Sequence, residues 1–175
     1  MFIPFKKIKD ILTNTQTYTR PEAPTVPTYN VPNRGVSFTE KDLNVLRPTL
    51  YGEISNRPIE KQELEARVIA NTAFNRIPEY NKYGQKKTLT DVLSEPNQYQ
   101  AYGGKQYKNY ASSTNDLDVE KKKNIDLIVN KFIEEMKAGT FADNTQGAFY
   151  YQHTPEGKIY YDSSRPLFKT NLGKP

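Results

Sequence analysis

The chain contains no cysteine, which excludes disulfides, thiolate metal sites and a cysteine nucleophile. Tryptophan is also absent, and a single histidine, His153, cannot supply a multi-histidine metal centre. Ser-His-Asp catalysis would have to use that same histidine, and no serine stands in an elbow-like context. No glycine-rich phosphate loop occurs; Gly103-Gly104 alone reads as a turn. No apolar run approaches the ~20 residues of a membrane span. The opening "MFIPFKKIKDILTNTQ" is broken by Pro4, Lys6, Lys7, Lys9 and Asp10, so no secretory h-region of ~7–15 apolar residues is expected there. These absences predict an enzyme or binder with no cofactor and no metal.

What is present is polar and rich in tyrosine. The 175 residues are 35% hydrophobic, with 13 Tyr and 8 Phe. Tyrosine offers apolar area with a polar tip and suits a half-exposed groove. The net charge of +5 favours encounter with polyanions without naming one. Residues 1–36 read as an extended or flexible arm, with Pro21, Pro24, Pro27 and Pro32 separated by small polar residues. Residues 37–175 read as one folded domain.

Periodicity predicts its helices. Thr39 with Asp42 marks a helix start, with Leu43 and Leu46 on one face, and Pro48 is expected to bend or end the helix near Tyr51-Gly52-Glu53. In "IEKQELEARVIANTAFNRI" the stripe is Ala66, Ile69, Ala70, Ala73 and Ile77, widened by Leu64 and Val68 and stopped by Pro78. A short helix capped by Thr88 or Thr90 follows. Then comes an irregular loop through "YQAYGGKQYKNYASSTNDLD". A second long helix over Val119–Lys137 has Ile125, Ile128, Val129, Phe132 and Met136 buried and Gly139 past its end. "GAFYYQH" and "KIYYDSS" flank a turn and predict a hairpin, with Tyr150 and Tyr151 on opposite faces. The sum is α+β, mostly helical, with a small hairpin.

Carboxylate chemistry survives the exclusions. A glutamate acts as a general acid where a low-dielectric pocket disfavours its charged form. Glu53 is flanked by Leu50, Tyr51 and Ile54, and Gly52 lets the backbone bend beside it. The residues alone leave two possibilities: an acid facing a cleft, or a surface glutamate near a helix end. Asn75 and Arg76 suit a structural role, bonding loop carbonyls from a helix end. Lys105, Tyr107, Lys108 and Tyr110 interleave charge with aromatics, as single-strand binders do, but a solvated loop accounts for them and no nucleic-acid partner is expected.

Four segments, "LRPTLYGEI", "EARVIANTAFNRI", "TLTDVLSEPNQYQAY" and "TQGAFYY", occur in the order seen in bacterial cell-wall hydrolases of the spore-cortex-lytic type. The chain resembles that family over roughly residues 38–161. The resemblance implies a lysozyme-like domain that cleaves peptidoglycan between muramic acid and glucosamine. It places the catalytic acid, later base, on Glu53. It also places substrate contacts on Tyr51, Gln98, Tyr99, Tyr102 and Tyr150. Many such enzymes are lytic transglycosylases, in which the sugar's own C6 hydroxyl attacks. The chain departs from the pattern at "ISNRPIEKQELE", where Glu60, Glu63 and Glu65 compete for a second acidic role, so hydrolytic and anhydro products both stay open. The expected partner is the glycan strand, with a virion or membrane partner for the arm. The chain is expected to be made in the cytoplasm and to act on the wall, in a phage particle or after release at lysis. The rivals are a non-catalytic wall-glycan binder and, behind it, a basic tyrosine-rich nucleic-acid-binding protein.

Overall fold

The computed structural model describes residues 26–96, 98–99, 101–112, 115–153, 159–165 and 167. Most of the proline-rich arm lies outside them, but its last part is folded. Strand β1 (Thr28–Val31) pairs antiparallel with β2 (Val36–Thr39), from Thr28 opposite Thr39 to Val31 opposite Val36. The turn between them places Asn33 and Gly35 at φ of 61°, a left-handed conformation that these two residue types tolerate. Val36 and Phe38 face inward around the outward Ser37, and the Phe38 ring stacks on Phe74 at 5.4 Å.

Helix α1 (Glu40–Glu53) starts at the expected cap. The Thr39 N–H and hydroxyl donate to Asp42 Oδ2, while the Thr90 N–H and hydroxyl donate to Asp42 Oδ1. One carboxylate thus joins the start of α1 to helix α3 (Leu89–Leu93), whose own cap is Thr88 with Asp91. α1 continues through Pro48 rather than ending there. Helix α2 (Ile59–Lys82) likewise runs through Pro78. Its end falls at Gly84, with φ of 74°, where the Gln85 N–H returns to the Tyr80 carbonyl. Each proline removes one ladder bond, and the burial of both flanks outweighs that loss.

The predicted α2 stripe is fully internal, as is Val68, but Leu64 points outward at 53% exposure. The irregular loop expected over residues 99–118 contains helix α4 (Lys105–Ser112). No α4 residue is fully buried, and the two half-buried tyrosines, Tyr107 and Tyr110, are too few to mark a helix by period. Helix α5 (Asp116–Lys137) begins at Asn115, which accepts from the Asp118 N–H, and buries every residue expected of it. Arg67 of α2 reaches Glu135 at 2.7 Å and Glu63 at 3.1 Å, and stacks on Phe132, locking α2 to α5. Strands β3 (Tyr151–His153) and β4 (Ile159–Tyr161) form the predicted hairpin, with Tyr151 opposite Tyr161. The described residues therefore form a mostly helical α+β fold with two separate two-stranded sheets. No helix among them is long and apolar enough to cross a membrane.

Asp42 supplies a stability test. Burial alone would raise its pKa, but the hydrogen bonds from Thr39 and Thr90 outweigh burial and hold it below the usual carboxylate range. A lowered folded-state value contributes stability that is fully present above the unfolded value and lost as pH falls through the folded one. Asp42→Asn is expected to cost about 2 kcal/mol at neutral pH. Urea unfolding should show that gap closing below about pH 4, where the wild-type carboxylate also protonates.

Candidate active site

Gly52 decides where Glu53 points. A Cβ at residue 52 would stand 2.4 Å from the Ala101 Cβ, far inside contact distance and with no flexible side chain to yield. Only glycine lets the end of α1 approach the turn at 101–104 this closely. At that distance the Ala101 N–H donates to Glu53 Oε1 at 2.6 Å. The expectation that Gly52 provides a bend is thus replaced: α1 stays helical to Glu53, and Gly52 provides the contact.

The second oxygen is held from the other side of the molecule. The Tyr151 hydroxyl of β3 donates to Glu53 Oε2 at 3.0 Å. Burial first, then the charge of Glu53, pushes the Tyr151 phenol well above its ordinary pKa, so it keeps its proton. A phenol donates to a carboxylate and accepts from a carboxylic acid, so this contact is possible in both protonation states of Glu53. The carboxyl is half-buried, with both oxygens aimed.

The Asn-Arg pair of α2 fixes Tyr151. Asn75 Nδ2 lies within hydrogen-bond distance of Asp143 Oδ2, Thr145 Oγ1 and the Ala148 carbonyl, at 3.1, 3.2 and 3.1 Å. Arg76 Nε donates to the Phe149 carbonyl at 2.7 Å. Its guanidinium packs against the Tyr99 and Tyr150 rings, at 5.5 and 4.8 Å from their centroids. The loop-bonding role expected of the pair is present, though the pair stands inside α2 rather than at its end. Asp143 is held below the usual carboxylate range: burial opposes this, but the bonds from Thr145 and the charge of Arg34 prevail.

Beside this tie opens a cleft of about 320 Å³ lined by Tyr150, Tyr151, Gln152, Tyr161, Asp162 and Arg165. Glu53 does not line it but sits at the hydroxyl end of Tyr151, whose ring forms part of the wall. Of the expected substrate contacts, Tyr150 lines this cleft. Tyr51 does not face a groove: it is fully buried, edge-on to Tyr110 and beneath the Lys121 ammonium. Tyr99 is also buried, 6.2 Å from the Tyr151 ring, and acts as packing behind it. Gln98 is half-buried in the turn after α3. Tyr102 is exposed and edge-on to Tyr107.

None of the three candidates for a second carboxylate shares the donors that hold Glu53. Glu60 is exposed, and Glu63 bonds Arg67 and Lys131 on the α5 side. Glu65 is buried and accepts from the Ser55 N–H and hydroxyl, fixing the turn after α1. His153 is exposed and edge-on to Tyr151. On α4, Tyr107 and Tyr110 are engaged by Tyr102 and Tyr51. Sequence reasoning missed Ala101, whose backbone amide leaves no trace in residue type, and it missed Arg165 and Asp162. The aromatic run before β3 was the available signal for Tyr151.

Gly52→Ala is expected to cost roughly 1–3 kcal/mol, because the overlap must be relieved by moving a backbone. Ala101→Gly in the same chain should recover most of that cost. A double-mutant cycle by chemical denaturation checks this, and additive losses would mean that the two residues do not touch. No family model matches the chain, and no curated protein or solved structure matches it significantly.

Proposed function

We propose that this protein cleaves the glycan strand of peptidoglycan between muramic acid and glucosamine, with Glu53 as general acid and then base. The observation that supports the reading is the orientation of one carboxyl by the Ala101 amide and the Tyr151 hydroxyl, beside a tyrosine-lined cleft. Glu53 transfers its proton to the glycosidic oxygen as the bond from C1 to that oxygen breaks. The carboxylate left behind takes the proton of the C6 hydroxyl as that oxygen bonds to C1. The products are a 1,6-anhydro end and a free hydroxyl on the leaving sugar, and no water is consumed. A second carboxylate would be needed for the two-carboxylate schemes. Glu60, Glu63 and Glu65 are each engaged elsewhere or exposed, which favours the one-acid route.

A second reading has its own observation. Protein donors occupy both oxygens of Glu53, as they would in a purely structural tie between α1, the turn at 101–104 and β3. In that case Glu53 has no part in chemistry, and the non-catalytic wall-glycan binder becomes the reading to test.

Glu53→Gln separates the two. A glutamine oxygen still accepts from Ala101, so the fold should keep its melting temperature within a few degrees. Release of fragments from purified sacculi should fall at least ~100-fold. Mass spectrometry of the wild-type digest should show anhydro-ended muropeptides. Equal release by both proteins would remove Glu53 from the chemistry, and binding without release by either would favour the binder.

A further inference from the structure

The wall of the cleft carries both signs of charge. Arg165 and Asp162 line it together with Tyr150, Tyr151, Tyr161 and Gln152. The volume of about 320 Å³ is at the small end of ligand sites and fits an amino-acid-sized group.

Both charges are set in place by their neighbours. The Arg165 guanidinium lies 4.0 Å from the Tyr150 ring centroid, and the buried Arg76 packs against the same ring at 4.8 Å. The Tyr150 hydroxyl is anchored on the Leu167 carbonyl at 3.1 Å. A stacked guanidinium keeps its N–H edge available for a carboxylate. Among the described residues Arg165 forms no ion pair within 4 Å, although the Asp162 charge is close enough to be felt. Asp162 accepts at Oδ1 from the Ser164 N–H and hydroxyl, which hold it anionic and oriented.

We propose that this cleft receives the peptide stem of the polymer assigned above, with Arg165 taking a carboxylate and Asp162 an ammonium of one zwitterionic amino-acid residue. The inference rests on the peptidoglycan reading and extends it to substrate choice. The polymer's stems carry free carboxylates and, at a diamino acid, a free amine; its N-acetylated sugars carry no ammonium. Tyr151 links the two sites, since its ring lines the cleft and its hydroxyl holds Glu53. A stem in the cleft therefore packs against the residue that orients the acid, which makes stem-bearing strands the preferred substrate.

The test uses the full chain with Glu53→Gln, titrated with two soluble probes. One is the disaccharide carrying a stem that ends in a diamino acid with free amine and carboxylate; the other is the same disaccharide without peptide. Calorimetry is expected to show the first bound at least about tenfold more tightly. Adding Arg165→Gln or Asp162→Asn should each remove about fivefold or more of that preference. Both residues are exposed, so neither change threatens the fold. In otherwise wild-type protein, the same changes should raise KM on stem-bearing sacculi and leave kcat largely intact. Equal affinity for the two probes, or a preference untouched by both substitutions, overturns the proposal. Loss of kcat with Asp162→Asn also overturns it, because Asp162 would then belong to the chemistry. A preference for the stem in a protein that cleaves no sacculi would sink the enzyme reading alone and leave the cleft assignment standing.

Discussion

The close approach of Gly52 to Ala101 is the constraint on which the site depends. A helix normally keeps its neighbours at the distance set by its side chains, ~8–10 Å between axes. Here a missing Cβ lets a turn amide reach the last carboxylate of α1, at 2.6 Å. A buried or half-buried carboxylate needs donors to offset the water it loses. The turn provides one of them and β3 provides the other. The orientation of Glu53 thus rests on one backbone donor and one side-chain donor.

The second donor has a longer history in the fold. Tyr151 stands where it does because α2 grips the preceding loop through Asn75 and Arg76. Arg76 is almost fully buried, and one of its terminal nitrogens lacks a hydrogen bond, with Glu95 3.8 Å away. Burying a cation so incompletely paired is costly, and two aromatic rings offset part of that cost. Replacing Arg76 by an apolar residue would relieve the desolvation and at the same time free the Phe149 carbonyl and the Tyr150 ring. The arginine is therefore better understood as a brace for the strand than as a source of stability. The ring it braces is the one that presents Arg165 to the cleft.

Much of the fold was legible from the sequence where burial imposes a period. The stripes of α2 and α5, the caps at Thr39 and Thr88 and the aromatic hairpin all follow from spacing. Leu64 did not join its stripe because its position on α2 faces solvent. The two internal prolines misled because a local signal for termination was overruled by tertiary packing. α4 was invisible because Tyr107 and Tyr110 are its only half-buried apolar side chains, and β1–β2 was hidden in a proline-rich run despite the alternation of Val36, Ser37 and Phe38. At the candidate site, Glu53 could be singled out from the sequence, but the donors that hold it could not. An amide of Ala101 has no signature in the sequence, and Tyr51, adjacent to Glu53 in the chain, points into the core instead of toward a substrate.

Hydrogen exchange at the Ala101 amide tests the central contact most directly. Strong protection is expected in the intact protein, well beyond that of the nearby turn amide of Gly103, with loss of that protection in Glu53→Ala. Exchange of Ala101 at the rate of an open turn in the unaltered protein would contradict it. Glu53 would then be untethered on that side, and the geometry its proposed chemistry requires would not exist in solution.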